Sequence, residues 1–114
     1  MRFAQSIALA MAFGLAAPIA HGKDDKRFEA CRKKLMQAQK LEVLYDLDWK
    51  PPREPKVIAG RTFFEMPIDA KEGFVETVNC FLMAGDSGCV NFDVLHWQTG
   101  KMAGRFSRCK FKMN

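Results

Sequence analysis

Four cysteines, Cys31, Cys80, Cys89 and Cys109, all lie behind an N-terminal stretch that carries no charge over residues 3–20 of a 114-residue chain. The stretch opens on Met1 and Arg2, is rich in Ala, Ile, Leu and Met, and meets Pro18 just before the small residues Ala20 and Gly22. A short positive start, an apolar middle and a small-residue end are the marks of a secretory signal peptide, so residues 1–22 read as a removable leader and the mature chain begins at Lys23. An uncleaved anchor is the competing reading, because a bilayer needs roughly 20 apolar residues. The run is Ala-rich and only weakly apolar, and no basic stop-transfer cluster follows it. No second stretch of that kind exists, so no membrane span is expected after signal cleavage, and the expected destination is periplasmic or secreted.

Export decides what the cysteines are for. An even number of them in a short chain bound for an oxidising compartment predicts two disulfide bonds. Zinc is the other common use, but the spacings of 49, 9 and 20 residues contain no Cys-x-x-Cys, and His96 is the one histidine beyond the leader. No metal is expected. A catalytic thiol paired with His96 is also disfavoured where thiols oxidise. Residues 23–114 are too few for more than one domain, and such a domain buries only about two-thirds of its unfolded surface. Each bridge adds roughly 2 to 4 kcal/mol to a core of that size.

The remaining pattern is α+β. Phe28, Cys31, Leu35, Ala38, Leu41 and Tyr45 recur at spacings of three and four, with Arg32, Lys33, Gln37 and Lys40 mostly on the other side, which predicts an amphipathic helix over about residues 25–45. Asp24 and Asp25 suit its amino end. Residues 46–55, with Pro51, Pro52 and Pro55, read as a connector in which Trp49 covers one end of the core. Beyond it, β-branched and aromatic residues punctuated by turns predict a three- to four-stranded antiparallel meander, disulfide-stapled to the helix. The strands are placed at 56–58 with 62–66, 74–83, 89–97 and 101–112. The loop 84–88 holds two glycines, Gly60 marks a bulge or turn, and 98–101 is a tight hairpin turn. Three cysteine pairings are open; the preferred one joins Cys31 to Cys80, helix to sheet, and Cys89 to Cys109 across a hairpin. That second pair needs a one-residue shift of register to share a face.

Few residues carry chemistry. Asp46, Asp48 and Glu54 suggest a carboxylate pair or a calcium site, but position 6 counted from Asp46 is Pro51 where a calcium loop requires Gly, so solvated charges after a helix are the simpler reading. His96 with Asp93, or with Ser107, is the weak catalytic candidate, unsupported by any nucleophile motif. Glycine-rich phosphate loops are missing, so neither a nucleotide nor any other cofactor is expected.

Charge is the remaining lead. Without Arg2 the 18 basic residues become 17 against 13 acidic, a net charge of +4. The excess gathers on the helix and near the carboxyl end, where Arg108, Lys110 and Lys112 alternate with Cys109, Phe111 and Met113. Alternation of that kind puts three cations on one face of a strand and the others in the core. The cations either bind an anionic partner or guard a terminal edge strand against edge-to-edge pairing. Nucleic acid is disfavoured because no exposed aromatics interleave with them. Two classes of function follow: a small exported, non-catalytic interaction module contacting a protein or anionic envelope partner, or a small exported hydrolase using His96 with a nearby carboxylate.

Overall fold

A computed structural model describes residues 25–114. The leader, the cleavage point before Lys23 and the cap at Asp24 lie outside the described residues. The elements in chain order are α1 (Asp25–Lys40), β1 (Leu44–Asp48), β2 (Lys56–Ala59), α2 (Arg61–Glu65), α3 (Ile68–Leu82), β3 (Phe92–His96), β4 (Met102–Ser107) and β5 (Lys110–Met113). The fold is α+β and disulfide-stapled, with a five-stranded sheet in the order β1-β2-β3-β4-β5.

The helix over 25–45 is shorter than its pattern predicts, for a local reason. Val43 N–H donates to the Ala38 carbonyl (2.8 Å) and Glu42 N–H to that of Gln39 (3.2 Å), while Glu42 sits at φ 63°. This paired capping arrangement closes the last turn with a left-handed residue, a place usually taken by glycine. The chain then turns out into β1, so residues 44–48 form an edge strand instead of opening the connector.

The larger correction concerns residues 62–66 and 74–83, which read as strands but fall almost wholly in α2 and α3. Phe74, Val75, Val78, Phe81 and Leu82 are all buried, a helical spacing that buries one face, and it prevails over the β-branched content that suggests a strand. Asp69 in the first turn of α3 complements the helix dipole. The two helices fill the connection from β2 to β3, and those strands are therefore parallel while every other neighbouring pair is antiparallel. The sheet is mixed, with one more strand than expected at most.

One face of the sheet holds the core. Val57, Ala59, Phe92, Val94 and Phe106 are buried at alternate positions and share a cluster with Phe28, Leu35, Val75 and Val78 of the long helices. Phe28 stacks on Phe81 at 5.5 Å, and fully buried Phe63 meets Phe74 and Phe111 edge-on at 5.7 and 6.3 Å. The bridges are Cys31–Cys80 and Cys89–Cys109. Both pairs are the expected ones, but the first joins helix to helix, α1 to α3, not helix to sheet.

Gly60 links these layers. Its N–H donates to the Val43 carbonyl (2.9 Å), and a Cβ there would overlap the Glu42 carbonyl oxygen. Only a residue without a side chain lets β2 pass so close to the end of α1.

Candidate functional site

The face of the sheet turned away from the helices carries a row of charge. Asp48, Lys56, Asp93, Arg105 and Lys112 are successive cross-strand partners from β1 to β5. Signs alternate as far as Arg105, whose guanidinium lies 2.7 Å from Asp93 and 3.2 Å from Glu54. The hydrogen bonds that its guanidinium donates to Glu54 first, then to Asp93, hold its pKa above the ordinary arginine value. Lys112 breaks the alternation by standing beside a cation, so the sheet ends on a positive border.

Sequence alternation places Arg108 and Cys109 within one continuous strand. The structure instead makes them the two-residue turn of a β4–β5 hairpin, with φ of 56° and 64°. Positive φ at both central residues is the turn whose twist suits a hairpin, and it ordinarily selects Asn-Gly. Cys109 is consequently exposed instead of entering the core, and Arg108 crowns the tip. Lys110 and Lys112 remain on the outer face and are exposed; Phe111 and Met113 point the other way and pack against the core.

The tip is held from three sides. The Cys89–Cys109 bridge spans a Cα distance of 5.4 Å, and Arg108 N–H donates to Asn91 Oδ1 at 3.3 Å. Asn79 on α3 accepts from Val90 N–H (2.8 Å) and donates to the Gly88 carbonyl (2.9 Å), tying the loop that carries Cys89 to the helix. Neither asparagine belongs to a recognisable motif, which is why sequence reasoning passes over them. Arg108, Lys110 and Lys112 form no ion pair among the described residues.

The catalytic candidates are not brought together. His96 Nδ1 accepts from the N–H groups of Gln98 (3.1 Å) and Thr99 (3.4 Å), and its ring stacks on Trp97 at 4.3 Å and Phe64 at 4.6 Å. Asp93 faces the opposite side of the sheet, in the grip of Arg105, and Ser107 lies toward the far end of β4. A cleft of about 430 Å³ does run between the connector, including Trp49 and Glu54, and Cys89, Val90 and Asn91, but His96 takes no part in it. The carboxylates Asp46, Asp48 and Glu54 also fail to converge: Asp46 accepts from the Leu47 N–H, Asp48 joins the charge row and Glu54 binds Arg105. Among the described residues no group of His, Cys, Asp or Glu is placed to hold a metal ion, and no helix is long and apolar enough to cross a membrane. No protein-family model matches the sequence, and neither the curated proteins nor the solved structures contain a match to it.

Proposed function

We propose that the protein is an exported, non-catalytic interaction module that meets an anionic protein or envelope partner through the β4–β5 hairpin. The observation that carries this reading is the display of Arg108, Lys110 and Lys112 on a cross-linked hairpin with no counter-ion among the described residues, directly beside an arginine that has two. A left-handed non-glycine residue costs of order 1 kcal/mol or more, and such costs persist where function holds them. Arg108 occupies such a position although glycine would be cheaper there. A tip fixed before contact also loses little freedom on binding, which favours affinity.

Two disulfides accord with an oxidising compartment. The periplasm or the medium, reached by cleavage before Lys23, is the proposed destination. Intact-mass measurement of the exported product tests that step: a mass starting at Lys23 supports it, and retention of Met1 in the cytosol rejects it. The surface is tested by replacing Arg108, Lys110 and Lys112 with Gln and comparing elution from an anionic matrix with a control triple, Lys26→Gln, Lys33→Gln and Lys34→Gln, of equal charge change on α1. The hairpin triple elutes at clearly lower salt than the control, with an unchanged melting temperature. Equal elution of the two triples rejects the hairpin as the contact surface.

A further inference from the structure

The end of α1 opens on a second cleft, of about 370 Å³, away from the hairpin tip and lined by Gln39, Glu42, Leu44, Tyr45, Arg61 and Trp97, with Lys40 exposed at its mouth. The volume lies within the roughly 300 to 1,000 Å³ of small-molecule sites. Its lining is built, not incidental. Gln39 is only 4% exposed, yet its side-chain amide has no hydrogen-bond partner among the described residues. The Tyr45 hydroxyl and the Trp97 indole N–H are likewise without partners there. Among the described residues no buried side-chain nitrogen or oxygen lacks a partner, so the polar atoms of the otherwise buried Gln39 are open to the cleft and are satisfied there by solvent or by a ligand.

The rim narrows the chemistry. Arg61 and Glu42 pair at 2.8 Å, and Glu42 holds its left-handed conformation at the helix end where glycine is the ordinary choice. An arginine that already has its carboxylate is a poor trap for a free anion, but the pair offers donors and acceptors side by side. Tyr45 and Trp97 add flat apolar rings with polar tips, and Leu44 adds an aliphatic wall. A matching ligand is neutral and has a flat C–H face, several hydroxyls and one amide. We propose that this cleft takes a single acetamido-sugar ring, with the acetamido group paired to the Gln39 amide and the ring lying against the aromatic walls. This site is independent of the cationic hairpin.

The test is a titration of the oxidised, ¹⁵N-labelled protein with N-acetylglucosamine, with glucose and inorganic phosphate as comparison probes. Saturable shifts of the Gln39 side-chain NH₂ and the Trp97 indole N–H are expected, with glucose about tenfold weaker for lack of the amide partner. Gln39→Leu loses about tenfold in affinity without a fall in melting temperature, since it removes a polar group that makes no intramolecular bond. Tyr45→Phe, which keeps the ring, provides a second variant with the same direction of effect. Absence of saturable shifts at Gln39 and Trp97, equal binding of glucose, or phosphate binding in place of the sugar each overturns the proposal.

Discussion

Removing the two disulfides separately provides the sharpest test of how the fold is held. Cys31 and Cys80 are 49 residues apart and Cys89 and Cys109 are 20 apart, in loops that follow one another without overlap. Chain-entropy reasoning assigns about 4 kcal/mol to the first and about 3 kcal/mol to the second. A domain of this length is stable by roughly 5 to 13 kcal/mol in all, so neither loss is small. Cys31→Ala with Cys80→Ala also removes a contact between the stacked helices, which lowers stability further. The expected order in urea is therefore wild type, then the Cys89→Ala/Cys109→Ala variant, then the Cys31→Ala/Cys80→Ala variant, read by far-ultraviolet circular dichroism. Burial adds a kinetic arm. Cys80 is buried and Cys109 exposed, so a thiol reductant reaches the hairpin bridge in the folded protein and the helix bridge only after opening. Timed alkylation and mass analysis should show Cys89 and Cys109 labelled first, while the dichroism is still native. Simultaneous release of both bridges, or a greater loss from the hairpin pair, would refute the assignment of the helix bridge as the main staple.

Two further substitutions probe the backbone. Ala84 ends α3 at φ 54°, in the same capping arrangement as Glu42, with the Gly85 N–H reaching the Cys80 carbonyl at 3.0 Å; Ala84→Gly should raise stability by about 1 kcal/mol in thermal melts, and a loss would contradict the left-handed assignment. Gly60→Ala should cost about 1 to 3 kcal/mol, because the new methyl meets the Glu42 backbone and not a movable side chain; an unchanged melting point would mean that α1 and β2 do not approach as described.

What could be read from the chain followed the strength of each local signal. The face of α1 was legible because Phe28, Cys31, Leu35 and Ala38 repeat at helical spacing and all pack inward. Its end was not, since Glu42 takes the capping position without the glycine that announces it, and Leu41 and Tyr45 continue the apolar period past the stop. In α3 the periodic signal was present, but Val75, Thr77 and Val78 also favour strands, and strand assignment hid the parallel pairing of β2 and β3. The β4–β5 turn carried no glycine or asparagine, so Arg108 and Cys109 looked like strand. The cationic residues were nevertheless identifiable from alternation alone, whereas the Gln39 cleft joins residues separated by up to 58 positions and leaves no local trace.

The row of charge has a bearing on self-association. One outer border of the sheet, β1, bears Asp46 and Asp48, and the other, β5, bears Lys110 and Lys112. When two copies meet border to border through the same strand, like charges face one another, and symmetric pairing of the kind that most often produces dimers is discouraged from both sides. Only unlike borders attract, and joining them would leave a fresh β1 and a fresh β5 exposed at the ends, an open-ended ribbon whose growth salt should suppress.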